Sequence, residues 1–348
     1  MQLTSVAQVA ALDFDTIIDV RSPSEFAEDH VPGAINLPVL DDAERAEVGT
    51  IYKQVSPFDA RKIGAALVAQ NAARHLQGAL ADKPGGWRPL VYCWRGGQRS
   101  GSFATILRQV GWRAELVEGG YKSWRRLVIE ANDAPMPGPV VVLDGNTGTA
   151  KTDILKSAAR QGAQVIDLEG LANHRGSLFG AMAGGQSGQK DFETRLAMEV
   201  AALDPARPVL LEAESSKIGD LQLPKGVWDA IRNAPRIRVR APLSERASYL
   251  ARAYADITAD PERLLAVIEQ LRPFQPAERI AAWQAQAVAG EYAALAGELM
   301  RDHYDPRYEK HRARHVEGEL VVEAERLDAE AIEGLAARVA EMARRLTS

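Results

Sequence analysis

The segment at residues 91–100 constrains the fold most, because it contains the only cysteine, Cys93, at the start of a glycine-bearing loop. A short apolar run at residues 89–92 precedes the loop, and apolar residues follow at near-helical spacing over residues 100–110. This order predicts a strand, a tight loop and a helix. The N–H groups of the loop and the N-terminus of the helix would surround the thiol with positive potential.

This environment favours a reactive cysteine. The candidate catalytic residue is Cys93, and a thiolate is favoured beside such positive groups. Arg95 and Arg99 supply charged donors for an anionic substrate. The alternative is a buried cysteine that packs as a small hydrophobe, which two glycines and two arginines in the loop argue against. The predicted anion loop comprises Trp94, Arg95, Gly96, Gly97, Gln98, Arg99 and Ser100.

The cysteine loop resembles the active-site loop of rhodanese-like sulfurtransferases. Residues 19–26, 30–38 and 118–124 match the other signatures of that domain in the same order. The resemblance implies that Asp19 and Arg21 brace the loop region, in a structural role or a catalytic one. The long alanine-rich stretch at about residues 43–80 is a helical insertion, with a surface helical pair and a lid or docking surface as its two interpretations.

The spacing from Cys93 to Arg99 is Cys-x5-Arg, one residue longer than the compact loop of many sulfurtransferases. A wider ring of N–H donors fits a phosphate-sized oxyanion or its selenium analogue. Cysteine-based phosphatases use the same spacing, so a phosphatase is a further alternative. No obvious general acid lies near the loop to support it.

A second phosphate-binding motif follows the proline-rich linker at residues 133–139. An apolar run at residues 140–143 predicts a buried parallel strand, and apolar residues at helical spacing follow the motif. In a P-loop, successive N–H groups cradle phosphates, Lys151 balances their charge and the Thr152 hydroxyl can hold Mg²⁺. Ala150 stands where the usual pattern has glycine, and alanine is disfavoured there if the loop requires positive φ. An ordinary turn at a helix start is the alternative. The motif consists of Gly145, Asn146, Thr147, Gly148, Thr149, Ala150, Lys151 and Thr152.

Acidic residues lie at the ends of two further apolar runs. Asp167, Glu212 and Glu214 are candidates for Mg²⁺ or substrate, because strand-end acids beside a P-loop often manage the metal or its waters. Simple solvation of the strand ends is the alternative.

Basic and polar residues near these strands suit phosphate or base contacts. His174, Arg175 and Ser177 lie in a polar loop that either contacts tRNA or substrate or caps a helix. Residues 301–315, which include Arg307, interleave arginines and histidines with tyrosines, a mixture that suits RNA. A solvated charged connector is the alternative for that segment.

Almost the whole chain resembles the tRNA 2-selenouridine synthase family. The resemblance rests on residues 93–100, 167–180, 211–219 and 303–308 and on the helical insertion. The resemblance implies a transferase that acts on the wobble uridine in the anticodon loop of certain tRNAs. In that family 2-thiouridine is S-geranylated with geranyl diphosphate, and selenophosphate then replaces the geranylthio group. The P-loop would bind the diphosphate without nucleotide hydrolysis, and Cys93 would act at the selenation step.

Two other classes remain open. An ATP-linked rhodanese-type sulfurtransferase would activate an acceptor at the P-loop and deliver sulfur from Cys93. A non-catalytic tRNA-binding or sensor protein would bind tRNA without forming product. The sequence leaves open the choice of tRNAs, a protein supplier of selenophosphate, the oligomeric state and the requirement for Mg²⁺.

Length and charge complete the prediction. The 348 residues divide into a rhodanese-like α/β domain (1–132), the linker (133–139) and a P-loop NTPase-like parallel α/β domain with extra helices (140–348). A net charge of −5 requires local basic patches to hold nucleic acid. No apolar run approaches the roughly 20 residues of a membrane span, and no signal peptide is evident, so a cytoplasmic location is expected. One cysteine excludes an intramolecular disulfide framework and a cysteine-based zinc site.

Overall fold

The computed structural model describes residues 1–312 and 319–347. Tertiary contacts separate residues 1–133 and 188–202, here called the first unit, from residues 134–187 and 203–348, the second unit. The sequence-based boundaries at residues 132 and 140 stay a prediction. They did not anticipate that residues 188–202 join the first unit.

Four parallel strands form the sheet of the first unit, in the order β2-β1-β3-β4. The strands are β1 (Thr16–Asp19), β2 (Ala34–Asn36), β3 (Pro89–Tyr92) and β4 (Glu115–Leu116). The helices of residues 1–133 are α1 (Pro23–Glu28), α2 (Asp42–Gln54), α3 (Pro57–Gln77), α4 (Gln98–Val110) and α5 (Gly120–Asp133), with a 3₁₀ turn at Ala7–Ala11. Asp19 lies opposite Tyr92 in the register of β1 and β3. The chain segments that follow these two strands therefore start at the same edge of the sheet.

The helical stretch expected near residues 43–80 consists of α2 and α3. The Asp41 side chain accepts a hydrogen bond from the N–H of Glu44 and so caps α2, and Ser56 caps α3 in the same way through Asp59. No residue of α2 is buried, whereas α3 contributes Val68 to the core of the unit.

The second unit has a five-stranded parallel sheet in the order β11-β10-β5-β7-β6 and a short antiparallel pair, β8-β9. The strands are β5 (Val140–Gly145), β6 (Gln164–Ile166), β7 (Val209–Glu212), β8 (Lys217–Ile218), β9 (Leu221–Gln222), β10 (Arg236–Arg240) and β11 (Glu319–Glu323). The remaining helices are α6 (Lys151–Arg160), α7 (Leu168–Ala172), α8 (Gln189–Ala201), α9 (Lys225–Asn233), α10 (Leu243–Ala253), α11 (Ala255–Thr258), α12 (Pro261–Glu269), α13 (Ala277–Ala289), α14 (Tyr292–Leu299), α15 (Asp305–Arg312) and α16 (Ala329–Leu346), with a π-helical turn at Met300–Tyr304.

An apolar cluster joins the second sheet to two of its helices. Leu143 and Val239 of the central strands pack with Ile154 of α6 and Val339 of α16 in one buried cluster. The observed architecture confirms the predicted fold class of two α/β units with parallel sheets.

The extra helices of the second unit form a separate apolar cluster around Trp283, which is fully buried. Ile268, Leu295 and Leu299 belong to the same cluster. Among the helices of the described residues, none has the length and apolar character that a membrane span requires.

Helix α8 packs on the first unit, although its sequence lies between strands of the second. The Asn132 side chain donates to the carbonyl of Glu193 at 2.8 Å, and Lys190 pairs with Glu28 at 2.6 Å. Ala197 lies in the same buried cluster as residues of β3 and α5. These contacts attach the helix by charge, by hydrogen bonding and by apolar packing.

Candidate functional site

Cys93 directly follows β3 and is only 3% exposed. The buried hydroxyl of Ser100, in the first turn of α4, donates a hydrogen bond to Cys93 Sγ at 3.1 Å. A hydroxyl donor at this distance can stabilise negative charge that develops on the sulfur. The structure therefore places the predicted nucleophile beside a donor from its own loop.

The backbone at the start of α5 supports the cysteine loop. The N–H of Tyr121 donates to the Cys93 carbonyl at 2.8 Å. The two chain segments approach so closely that glycine is required on both sides, with φ of +67° at Gly96 and +59° at Gly120. A Cβ atom on Gly120 would lie 2.2 Å from the Cys93 carbonyl oxygen. The shape of the loop thus depends on packed backbone.

The two loop arginines have different environments. Arg99 makes two hydrogen bonds to the Glu25 carboxylate, at 2.8 and 3.4 Å. Burial alone would raise the pKa of Glu25, but its hydrogen bond and charge interaction with Arg99 lower it. Arg95 is exposed and has no ion-pair partner among the described residues. The role of both arginines as donors to an anionic substrate stays a prediction, and α1 brings Glu25 within reach of Arg99.

Asp19 and Arg21 form a buried ion pair, with Arg21 Nη2 2.6 Å from Asp19 Oδ2. Arg21 also donates to the Asp29 carbonyl at 2.6 Å, and its guanidinium carbon lies 3.8 Å from the centre of the Tyr121 ring. Tyr121 in turn carries the N–H that supports Cys93. This arrangement favours the bracing role over direct substrate contact.

The P-loop lies between β5 and α6, in the predicted strand–loop–helix order. The Thr149 hydroxyl donates to the Asn146 carbonyl at 2.8 Å. Gly148 has a φ of +83°, and Ala150 has a φ of +58° with ψ of +28°. The loop therefore does require a left-handed residue where the sequence has alanine. The Ala150 methyl packs in the core of the unit, so this residue combines backbone strain with burial.

A side-chain clamp formed by Arg246, Asp305 and Asn146 holds the first half of the P-loop. Arg246 donates to both carboxylate oxygens of Asp305 at 2.9 and 2.7 Å. The same guanidinium donates to the Thr147 carbonyl at 3.1 Å, and the Asn146 amide donates to Asp305 at 2.8 Å. No role for Arg246 or Asp305 is predicted from the sequence, because nothing in their spacing reveals that they meet.

Lys151 begins α6, and its ammonium group donates to the Gly145 carbonyl at 3.1 Å. The ammonium nitrogen lies 6.0 Å from the centre of the Tyr308 ring. Burial alone would lower the pKa of Lys151, but Tyr308 and three nearby glutamates together raise it. The lysine is thus held in its charged form at the predicted phosphate position.

Glu169, Glu212 and Glu214 lie together beside Lys151, with one oxygen from each within 4.8 Å of the others. Thr152 donates its hydroxyl to Glu169 at 2.9 Å. Glu212 is fully buried, and neither of its carboxylate oxygens has a hydrogen-bond partner among the described residues. Burial, followed by repulsion from the other two glutamates, raises the pKa of Glu212 well above its usual range. Burial and the charge of Glu169 raise the pKa of Glu214 to about 8.

Asp167 does not join this group. Its carboxylate caps α7 by accepting from the N–H of Gly170 at 2.7 Å and lies 3.6 Å from the ammonium of Lys156. Glu169, which the sequence analysis missed, occupies the site instead. The signal was the second acid of the Asp-Leu-Glu run: Asp167 is used as the helix cap, so the next acid is the one that is left for the site.

A cavity of about 840 Å³ opens over the P-loop and the carboxylates, and we call it the phosphate cavity. Arg175, Ser177 and Arg307 line it, whereas His174 does not. The His174 ring accepts a hydrogen bond from the N–H of Gly176 at 3.1 Å. Burial lowers the pKa of His174, so it is neutral at pH 7 and suits a structural role.

The two arginines of the phosphate cavity are held by their neighbours. Arg175 pairs with Asp256 at 2.9 Å and lies 4.7 Å from the centre of the Tyr254 ring. Arg307 lies 4.7 Å from the centre of the Phe274 ring. Of the segment expected to contact RNA, residues 301–315, the part with Arg314 and His315 lies outside the described residues.

Two family models match the chain. A rhodanese-like domain covers residues 5–127, and a tRNA 2-selenouridine synthase AAA domain covers residues 138–262. These ranges include the cysteine loop and the P-loop, respectively.

Curated relatives described as tRNA 2-selenouridine synthase match over both regions. The protein of Cupriavidus pinatubonensis is 35% identical over an alignment of 338 positions that covers 86% of this chain and 90% of the relative. The protein of Nitrosomonas europaea is 35% identical over 80% of this chain and 74% of its own length. The protein of Alcanivorax borkumensis is 41% identical over 66% of this chain and 64% of its own length.

Proposed function

This chain belongs to the tRNA 2-selenouridine synthase family, and from that premise we propose that it converts 2-thiouridine at the wobble position of tRNA into 2-selenouridine. The proposed route passes through S-geranyl-2-thiouridine and consumes geranyl diphosphate and selenophosphate. One observation supports it above the others. A single chain carries two different anion-suited loops, with Cys93 beside Ser100 in one and Lys151 beside Thr152 in the other.

The first step is the transfer of the geranyl group. The sulfur of 2-thiouridine bonds to C1 of the geranyl group while the bond from C1 to the diphosphate oxygen breaks, and the N3 proton is lost. Diphosphate leaves with the electron pair. The ammonium group of Lys151 and the N–H groups at the start of α6 stabilise the negative charge of that leaving group. Nucleotide hydrolysis is not needed for this step.

Mg²⁺ fits the residues beside Lys151. Hard cations take carboxylate oxygens as ligands, and the buried Glu212 carboxylate has two oxygens without a hydrogen-bond partner among the described residues. Glu169, Glu212, Glu214 and the Thr152 hydroxyl would hold the ion. When bound, it would neutralise part of the diphosphate charge.

The second step replaces sulfur with selenium. The selenium of selenophosphate bonds to C2 of the base, the bond from C2 to the geranylthio sulfur breaks, and water takes the phosphoryl group. Protons from the selenol and the water go to N3 and to the geranyl thiolate, and hydrogen phosphate is released. Cys93 acts at this step, where Ser100 supports charge on its sulfur. An enzyme that forms selenophosphate must supply the substrate.

The tRNA partner requires local positive charge, because the net charge of the chain is −5. Arg175 and Arg307 line the phosphate cavity and offer contacts to phosphate or to a base. Both arginines are also held against aromatic rings, which positions their guanidinium groups.

Mass spectrometry of tRNA nucleosides tests the proposal. The wild-type protein is incubated with 2-thiouridine-containing tRNA, geranyl diphosphate and selenophosphate, and each substrate is omitted in turn. We expect 2-selenouridine from the wild type, accumulation of S-geranyl-2-thiouridine in Cys93→Ala, and unchanged 2-thiouridine in Lys151→Ala. Lys225→Ala, which removes an exposed lysine outside the phosphate cavity, is the matched control and should keep both steps. Unchanged 2-thiouridine in every reaction would contradict the proposal.

An ATP-linked sulfurtransferase is the second candidate function. It is favoured by the position of Glu212 at the end of β7, the strand next to β5, since nucleotide-hydrolysing P-loop proteins hold Mg²⁺ with such an acid. This candidate requires ATP hydrolysis that is stimulated by the acceptor and lost in Lys151→Ala. A cysteine-based phosphatase is less well supported, because Arg99 is paired with Glu25.

A further inference from the structure

We propose that an apolar pocket next to the phosphate cavity binds the hydrocarbon chain of the diphosphate substrate, an inference that rests on the proposed function. Its wall includes Phe179, Ile257, Leu264, Leu295 and Leu299. We call it the chain pocket. It lies entirely within the second unit.

The chain pocket and the phosphate cavity are adjacent. Thr147 of the P-loop, Ser177, Leu250 and Tyr254 line both of them. A ligand with its phosphates at Lys151 would enter the apolar pocket by passing between these four residues. The two chambers together match the polarity of a molecule that is anionic at one end and apolar at the other.

The lining of the chain pocket distinguishes a hydrocarbon from a nucleoside. The lining residues in the described part of the chain include no charged side chain, and most are aliphatic or aromatic. Ligand pockets use a few well-placed polar groups to orient polar ligands. A base or a ribose would bring several donors and acceptors into this pocket, and most of them would be left without partners at a cost in affinity. A hydrocarbon chain has no such groups.

The helices around the pocket explain its apolar wall. Most of these residues belong to the apolar cluster of the extra helices, which includes Ile257, Leu264 and Leu295. The cluster is thus open on the side of the P-loop, where Leu250 of α10 and Leu299 of α14 border the pocket. Burial of a substrate chain would complete the apolar packing of this cluster.

Two alanines allow the pocket to be filled without disturbing the core. Ala251 on α10 and Ala296 on α14 line the chain pocket and are only partly buried. Leucine is a good helix former, so a leucine at either position should be accepted by the helix while its side chain occupies the pocket. Ala294→Leu is the matched control, because Ala294 lies on α14, is exposed and does not line the pocket.

Calorimetric titration of the full chain with Mg²⁺ and three diphosphates tests the proposal. Methyl diphosphate, dimethylallyl diphosphate and geranyl diphosphate share a head group and differ in chain length. Each methylene buried from water is worth about fourfold in affinity. We expect wild type and Ala294→Leu to bind geranyl diphosphate at least about tenfold more tightly than methyl diphosphate. In Ala251→Leu and Ala296→Leu this gain should disappear while the affinity for methyl diphosphate stays within about twofold.

The possible outcomes separate this inference from the proposed function. Equal affinity of the wild type for all three diphosphates would overturn the chain pocket and leave diphosphate binding at the P-loop standing. If both leucine variants still bind geranyl diphosphate more tightly than methyl diphosphate, the hydrocarbon chain binds elsewhere. That result would also overturn the inference. Binding of none of the three compounds would overturn the proposed geranyl step together with the pocket. Unchanged affinity for methyl diphosphate shows that a leucine variant is folded. One folded leucine variant is sufficient for the test.

Discussion

The cysteine loop and the P-loop are both glycine-bearing turns between a parallel strand and a helix, yet they are stabilised in opposite ways. Backbone supports the cysteine loop, through the Tyr121 N–H and the close approach of Gly120. Side chains support the P-loop, through the clamp of Arg246 and Asp305. A Cβ added at Gly120 should therefore damage the first loop, and removal of a charge from the clamp should damage the second.

The two loops also differ in how their charges are balanced. Arg99 of the cysteine loop is paired with Glu25, and the pKa of Glu25 is lowered. Beside the P-loop, three glutamates share one lysine, and the pKa values of Glu212 and Glu214 are raised. In the cysteine loop, the charge of Arg99 is balanced by Glu25. Beside the P-loop, the glutamates outnumber the lysine, and a bound cation can interact with the additional carboxylates.

The largest expected effect is at Gly120. Gly120→Ala would place a Cβ 2.2 Å from the Cys93 carbonyl oxygen at a positive φ, so backbone must move. We expect a loss of more than about 3 kcal/mol in the free energy of unfolding and loss of selenation. Chemical denaturation and nucleoside mass spectrometry measure the two effects. Gly97→Ala, in the same loop but with no atom within 4 Å of the new Cβ, should cost less than about 1 kcal/mol. Similar losses in both variants would show that the close backbone contact is not what supports the loop.

The next effect is at the clamp of the P-loop. Asp305→Ala leaves the buried Arg246 without its ion-pair partner and removes the hydrogen bond that the Asn146 amide donates to Asp305. We expect a loss of about 2–4 kcal/mol in the free energy of unfolding, together with weaker binding of methyl diphosphate. Glu341→Ala, which removes exposed ion pairs on α16, should change the free energy of unfolding by less than about 1 kcal/mol. Equal effects would mean that the clamp is no more than a surface ion pair.

The different charge environments of Glu214 and Glu25 predict that their contributions to stability depend on pH in opposite ways. The pKa of Glu214 is about 8 in the folded chain, above its value of about 4.3 when unfolded, so the folded chain retains a proton that the unfolded chain releases. Its contribution to stability is fully present below the unfolded pKa and is lost as pH rises through about 8. Glu25 has a lowered pKa, so its contribution is present above the unfolded pKa and is lost as pH falls through the folded pKa.

Denaturation curves between pH 4 and pH 9 measure this difference. Replacing Glu214 by Gln should flatten the fall in stability with rising pH, by at most about 1.4 kcal/mol per pH unit. Glu25→Gln should leave the fall in stability with rising pH unchanged. It should reduce stability at neutral pH by removing the pair with Arg99. If stability falls with rising pH as steeply in Glu214→Gln as in the wild type, the carboxyl group of Glu214 is already ionised at neutral pH in the folded wild type.

The smallest effect is at Ala150, which adopts the left-handed conformation that the cysteine loop assigns to Gly96. Ala150→Gly relieves about 1 kcal/mol of backbone strain but removes a buried methyl worth about 0.8 kcal/mol, so the two effects offset each other. The free energy of unfolding should change by less than about 1 kcal/mol. Ala159→Gly, on the exposed face of α6, should cost about 1 kcal/mol without any relief of strain. A larger cost at Ala150 than at Ala159 would mean that the methyl packing outweighs the strain.

Most of the fold could be predicted from local sequence patterns. The strand Pro89–Tyr92 has the bounds of its apolar run, and the helix expected from residue 100 begins at Gln98. The P-loop was placed correctly between its strand and helix, because apolar periodicity and glycine positions are properties of neighbouring residues. The roles proposed for the site residues stay predictions.

Long-range pairing was not readable from the sequence. Glu169 joins Glu212 and Glu214 in space. Asp305 meets Asn146 although 159 positions separate them. The attachment of α8 to the first unit is of the same kind, since its apolar pattern does not specify which surface it covers.

The sequence by itself determined the two α/β units, the two loops and the residue types that each loop presents. Periodicity and turn chemistry act over a few residues, so they are fixed wherever the chain goes. Only the tertiary structure decided which charges are satisfied. Arg99 became paired when α1 brought Glu25 to it, and Glu212 kept two oxygens without hydrogen-bond partners among the described residues. Burial and distance set the energy of a charge, and both arise only when distant segments pack together.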